Sequence, residues 1–168
     1  MDRVTYPNED VQEYLKEHFI GVKLEQHIDA KRVAQLLRPR KLTWSPLFLV
    51  LGPSGIEHRL ILGYYPPRKF MAELDLGRGL ASLTAGAADA AEEIFATLTM
   101  RFENTSVVPE ALFWQGIARY RSTRQKKDLS IAWQEILQRF PESHGRTRAT
   151  LLRNWHAHDL QIQAGRCG

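Results

Sequence analysis

The chain carries a single cysteine, Cys167, next to last in 168 residues. A lone thiol cannot form an intrachain disulfide, a CxxC redox pair or a thiolate-based zinc site. Between Gly165 and Gly168 it reads as an incidental surface thiol rather than a nucleophile. His156 and His158 stand one residue apart with no carboxylate constellation, so they read as incidental rather than as metal ligands. Arg119, Arg121, Arg124, Lys126 and Lys127 form the one local concentration of basic charge. It could meet a phosphate or an acidic partner, but the plainer reading is a solvated connection between two helices. Asp89, Glu92 and Glu93 read as a solvated helix face that complements the helix dipole. No Gly-rich phosphate loop, Ser/His/Asp order or paired-carboxylate motif occurs. No catalytic residue, cofactor or metal is therefore expected.

The composition agrees with that bland inventory. Hydrophobic residues make up 43%, charged residues 25%, and the net charge is +4, values of an ordinary globular chain. Residues 1–76 carry 11 Lys/Arg against 10 Asp/Glu and residues 77–168 carry 12 against 9, so neither half has the bias of a dedicated nucleic-acid binder. No apolar run approaches ~18 residues, which excludes a helical membrane span. Met1 opens directly onto charged sequence with no signal peptide, so the expected location is cytoplasmic.

Periodicity divides the chain in two. In residues 1–76, Asn8 caps a helix running to about His18, and Phe19–Leu24 reads as a strand. Asp29 caps a helix that Pro39 stops. Pro46 leads into the apolar run Leu47–Leu51, and Gly52-Pro53-Ser54-Gly55 turns it into a second strand over His58–Gly63. Pro66-Pro67 then opens a helix with Phe70, Met71 and Leu74 facing inward. His58, flanked by charge, is expected at the surface. In residues 77–168 the expected helices are Gly79–Ala85, Ala87–Phe102, Pro109–Tyr120, Leu129–Phe140 and Ser143 to about His156. Trp114, Trp133 and Trp155 at helical positions read as core. Gly79, Ala91 and Phe95 recur as Gly116, Leu129 and Trp133, offset by 37 or 38 residues, the spacing of a stacked helical-hairpin array.

The order of the first half resembles the thioredoxin fold from its second core strand onward: a strand at Phe19–Leu24, a helix, Trp44-Ser45-Pro46, the Gly52–Gly55 hairpin turn, Gly63-Tyr64 and a final helix. The resemblance implies that the Ser45–Pro46 bond is cis and that Trp44, Ser45 and Pro46 form a peptide-binding edge, although the dipeptide alone leaves the isomer open. The family's first core strand and its CxxC are absent. The stretch Met1–Pro7 is similar to the one just after the CxxC of bacterial thioredoxin-family proteins with helical-repeat tails. Two explanations stand: the CxxC lies upstream of Met1 in a longer gene product, a thiol–disulfide oxidoreductase, or the chain is natively short and without redox chemistry. Loss of that strand would leave two inner sheet edges unpaired, at Phe19–Leu24 and at the hairpin. They could pair directly, accept a strand from another chain in a strand-exchanged homodimer, or be filled by the tail, where Asp159–Ala164 alternates polar and apolar residues.

The second half resembles tetratricopeptide repeats over about residues 77–156. Pro109–Tyr120 follows the first helix of that repeat with Gly116 at the small contact position, while Trp133 and Pro141 match the large residue and terminal proline of the second. Gln115 and Leu129 depart from the usual leucine and alanine, and the inter-helix loop is one residue longer. The expected fold is thus an α/β thioredoxin-like domain lacking its first core strand (1–76), followed by an all-α tetratricopeptide-like helical domain and tail (77–168). The expected function is a non-catalytic module binding a protein or peptide, with no membrane or nucleic-acid role.

Overall fold

The computed structural model describes residues 1, 3–37 and 45–142. Among them the architecture is mixed α/β and helix-rich, six helices with one two-stranded antiparallel sheet. Helix α1 (Glu9–His18) begins where Asn8 accepts the Val11 N–H through its side chain at 3.1 Å. Glu9 and Asp10 sit at its positive end and Lys16 and His18 at its negative end, the favourable sense for the dipole. Val11 and Tyr14, three residues apart, are its buried stripe.

Strands β1 (Leu47–Leu51) and β2 (Glu57–Leu62) form the expected hairpin, pairing Phe48 with Ile61 and Val50 with Arg59 and ending in a bulge at Val50/Leu51. The turn closes with the Gly55 N–H donating to the Gly52 carbonyl at 2.9 Å. His58 is half-buried rather than exposed, because its ring lies against Gly52 in the bulged turn. Phe48, Val50 and Ile61 face helix α3 (Pro67–Thr84), with Phe48 meeting Phe70 at 4.8 Å between ring centroids.

Helix α3 corrects the expected organisation. The two helices anticipated on either side of Gly77 are one continuous helix of 18 residues, so the boundary expected between residues 76 and 77 falls inside it. Gly77 and Gly79 do not break it, because neighbours occupy the space that side chains there would need. Val50 of β1 sits at Gly77 and the Phe95 ring at Gly79. Helices α4 (Ala88–Arg101), α5 (Val108–Thr123) and α6 (Lys126–Arg139) follow, and each packs on the one before it. The core runs without interruption from Val50 and Ile61 through Phe70 and Leu76 to Phe95, Leu98, Ala111 and Ile136. The expected recurrence is physical: Gly79 admits Phe95 as Gly116 admits Ala132 and Trp133 on α6. Of the expected core tryptophans, Trp133 is buried and Trp114 half-buried.

The strand expected over Phe19–Leu24 is not formed. That segment has no ladder partner among the described residues, and Ile20 and Val22 are 97% and 76% exposed. Direct pairing with the hairpin is thus not the arrangement adopted, since alternation supplies an apolar face but not a partner. Helix α2 (Ala30–Leu37) forms where Asp29 predicts it, yet buries no residue and packs on no other described element. The helix expected from Ser143, Trp155 and the tail at Asp159–Ala164 lie outside the described residues.

The Gly79 contact gives a direct test. A Cβ there would lie within 2.8 Å of three ring carbons of the buried Phe95. Gly79→Ala should therefore destabilise by about 1–2 kcal/mol in urea unfolding, the overpacking exceeding the gain of up to ~1 kcal/mol in helix propensity. Phe95→Leu should cost less in the Gly79→Ala background than alone. A stabilised Gly79→Ala protein would contradict the contact.

Candidate functional site

The residues expected to form a peptide edge lie where the chain enters β1. The Ser45–Pro46 bond is cis. The Pro46 carbonyl accepts the Gly63 N–H at 2.8 Å, extending the ladder one pair beyond the hairpin, and Ser45 is exposed. Trp44 lies outside the described residues. The neighbours of this end include several that sequence patterning did not single out. Tyr6 meets Phe48 at 6.1 Å, the Thr5 hydroxyl donates to the Tyr65 carbonyl at 2.7 Å, and the Tyr65 N–H donates to the Met1 sulfur at 3.4 Å. Lys69 stands over the Tyr65 ring at 4.6 Å, and Tyr64 is 56% exposed. Burial and the nearby Glu73 hold the Tyr65 phenol above its ordinary range, with Arg59 opposing. Isolated tyrosines in loops carry no periodic signal, so only the folded chain gathers them.

Two charged networks tie this end to the helices. Arg59 of β2 donates through Nε to Glu73 of α3 at 2.8 Å and through Nη1 to both carboxylate oxygens of Glu110 of α5, at 3.2 and 3.1 Å. Burial alone would lower the Arg59 pKa, but Glu110 and Glu73 outweigh it, so the guanidinium is held above its ordinary value. The hairpin is therefore fastened to both α3 and α5. In the second network the Tyr14 hydroxyl of α1 donates to Asp75 of α3, and Arg78 donates to Asp75 Oδ1 at 2.8 Å and to the Tyr14 oxygen at 3.1 Å. Burial first, and then the Asp75 charge, push the Tyr14 phenol well above its ordinary value. In both networks the ionisable groups are engaged with one another and serve as fasteners.

The basic cluster is dispersed by the fold. Arg119 pairs with Glu92 of α4 at 2.6 Å, and Arg121 donates to the Leu83 carbonyl at the end of α3 at 2.9 Å. Both side chains thus link the second helical hairpin to the first, and Glu92 is a bridging residue rather than part of a solvated acidic face. Arg124 closes α5 in the left-handed conformation (φ 60°), while Lys126 and Lys127 lie exposed in the first turn of α6. The cluster was legible in the sequence, but its partners, 27 and 38 residues away, were not.

No family model matches this chain, and neither a curated protein nor a solved structure does. Among the described residues no group of three or more His, Cys, Asp or Glu side chains is placed to hold a metal ion. No described helix is long and apolar enough to cross a membrane. His156, His158 and Cys167 lie outside the described residues. What the described surface offers is a strand end with exposed Ser45 and Tyr64, and beside it the row of helices α3–α6.

The networks make two predictions. Arg59→Met leaves Glu73, whose side chain is 7% exposed, without its counter-charge. The expected loss is about 2–3 kcal/mol in denaturant unfolding, and Glu73→Gln in the same chain should restore part of it. For Tyr14, the unfolded phenol titrates near 10.0 and the folded one higher, so above that pH the unfolded state loses a proton that the native state keeps. The contribution is complete below pH ~10 and falls as pH rises toward the folded pKa, by at most ~1.4 kcal/mol per pH unit. Tyr14→Phe should be less stable at neutral pH by about 1 kcal/mol but lose stability less steeply above pH ~10. Parallel curves for the two proteins would contradict the Asp75 contact.

Proposed function

We propose that the chain is a non-catalytic protein-interaction module, thioredoxin-like in its hairpin half and tetratricopeptide-like in its helical half, the two sharing α3. It takes an extended protein or peptide segment at the strand edge beginning at Ser45–Pro46 and along the helical row. The observation that carries this reading is the recurring close contact inside each helical hairpin, Gly79 with Phe95 and Gly116 with Ala132 and Trp133, together with the packing of α4 on α5 that joins the two hairpins in a row. Such rows present continuous surfaces suited to extended segments rather than closed pockets suited to small substrates. The lone Cys167 agrees with it, since thiol–disulfide exchange by one chain needs an attacking and a resolving thiol.

An insulin-reduction assay with dithiothreitol tests the non-catalytic half. The 168-residue chain should leave the rate at its protein-free background, and turnover well above background would overturn the reading. The binding half is tested by display selection of extended peptides on the immobilised chain; enrichment no greater than on immobilised albumin would overturn that half. An in-frame CxxC encoded immediately upstream of Met1 would move the assignment to a thiol–disulfide oxidoreductase.

A further inference from the structure

Three guanidinium groups gather where α1, α3 and the end of α4 meet. Arg78 donates to Asp75 and to the Tyr14 oxygen, so its charge is met by a carboxylate. Arg68 of α3 and Arg101 at the end of α4 are placed differently, and both are exposed. Each stands over the ring of Phe102, which is 1% exposed, at 5.8 and 5.3 Å from its centroid. Arg101 also stands over the buried Tyr14 ring at 5.5 Å. Arg68 is held further through Nη2, which donates to the Arg101 carbonyl at 2.7 Å. That bond satisfies a carbonyl at the end of α4 and uses one of the five donors of the fork.

The charges around the pair do not cancel it. Asp75 accepts from Arg78 and Tyr14, and Glu17 lies 3.7 Å from His18, whose ring packs edge-on against Tyr14. Among the described residues, Arg68 and Arg101 form no ion pair. Two cations over one buried ring repel each other, and a low-dielectric floor screens that repulsion poorly. Stacking and the carbonyl bond nevertheless restrain both side chains in advance, which lowers the entropy cost of binding a ligand there.

We propose that Arg68 and Arg101 together hold a phosphate-type oxyanion, free or carried on a phosphorylated residue of a partner segment. Guanidinium forks suit it, because each can donate two parallel N–H bonds to neighbouring oxygens. A phosphate group has oxygens for both forks and a charge of about −1.5 to −2 at neutral pH, which matches the two cations. A single carboxylate would leave one of them uncompensated. The site uses none of the strand-edge residues and does not rest on the module reading.

Isothermal titration of inorganic phosphate into the full chain, at neutral pH and constant ionic strength, should give a dissociation constant on the order of 1 mM. Arg68→Gln and Arg101→Gln change exposed side chains, so circular dichroism should be unchanged while phosphate binding weakens ~10-fold or more in each. Lys127→Gln removes an exposed cation of α6 and should leave binding unchanged, which separates a site from attraction by net charge. A short phosphoserine peptide that displaces phosphate, where its unphosphorylated form does not, assigns the site to a partner segment. Phosphate that the peptide does not displace assigns it to a free ion, and either result supports the oxyanion site. No saturable binding up to ~20 mM phosphate overturns it. So does binding that neither arginine variant weakens, or that Lys127→Gln weakens equally.

Discussion

Helix α3 is buried on every side from Phe70 to Gly77, and that stretch contains two carboxylates, Glu73 and Asp75. An unpaired carboxylate in such a place would be strongly destabilising, so each needs a cation delivered to it. The remainder of the molecule is arranged to deliver them. Arg59 reaches Glu73 only if β2 lies across the helix, and it then has a second fork free for Glu110 of α5. Asp75 is met from within the helix by Arg78 and from α1 by the Tyr14 hydroxyl. Hairpin, α1 and α5 are thus all placed by the requirement to cover one helix without stranding its charges. Apolar contact would hold them together in many orientations, whereas the charged contacts select one.

The same helix explains why the two halves read from the sequence share one core. Its hairpin face is set by Gly77 and its α4 face by Gly79, two positions apart and so on different sides of the helix axis. A helix with side chains at both positions would stand further from both neighbours. Close approach on two sides, with Arg121 reaching back to Leu83 and Arg119 to Glu92, couples the helical row to the hairpin instead of leaving two units on a linker.

What the sequence made legible follows from how local each determinant is. The Asn8 cap, the Gly52–Gly55 turn, the Pro66-Pro67 start and the Gly–aromatic recurrence act within a few residues or at fixed helical spacing, and each lies where expected. Phe19–Leu24 shows the limit. Its alternation places Ile20 and Val22 together, but a strand needs a neighbour with unused backbone groups, and no local pattern states whether one is in reach. The helix break expected near Gly77 does not form, for the converse reason: paired glycines signal a break locally, and only the packed neighbours show that they are contact points. At the candidate site, Ser45 and Pro46 were singled out through the resemblance in the order of elements, not by the dipeptide itself. Tyr65 was not, and nothing periodic connects it with Tyr6 and Tyr64. Arg59 was equally hidden, as one charge on a strand otherwise read for its apolar residues.

The distribution of burial leaves one region energetically apart. Between Ile20 and Leu37 no residue is fully buried, and α2 touches no other described element, although Val33, Leu36 and Leu37 give it an apolar stripe. An eight-residue helix is too short to be stable in water on propensity alone and depends on packing its apolar face. The segment therefore belongs to the low end of local stability, while the covered stretch of α3 belongs to the high end. That asymmetry sets the order in which the parts can depend on one another. Among the described elements, the hairpin and the helices α3–α6 hold their arrangement through contacts with one another and with α1, not with α2.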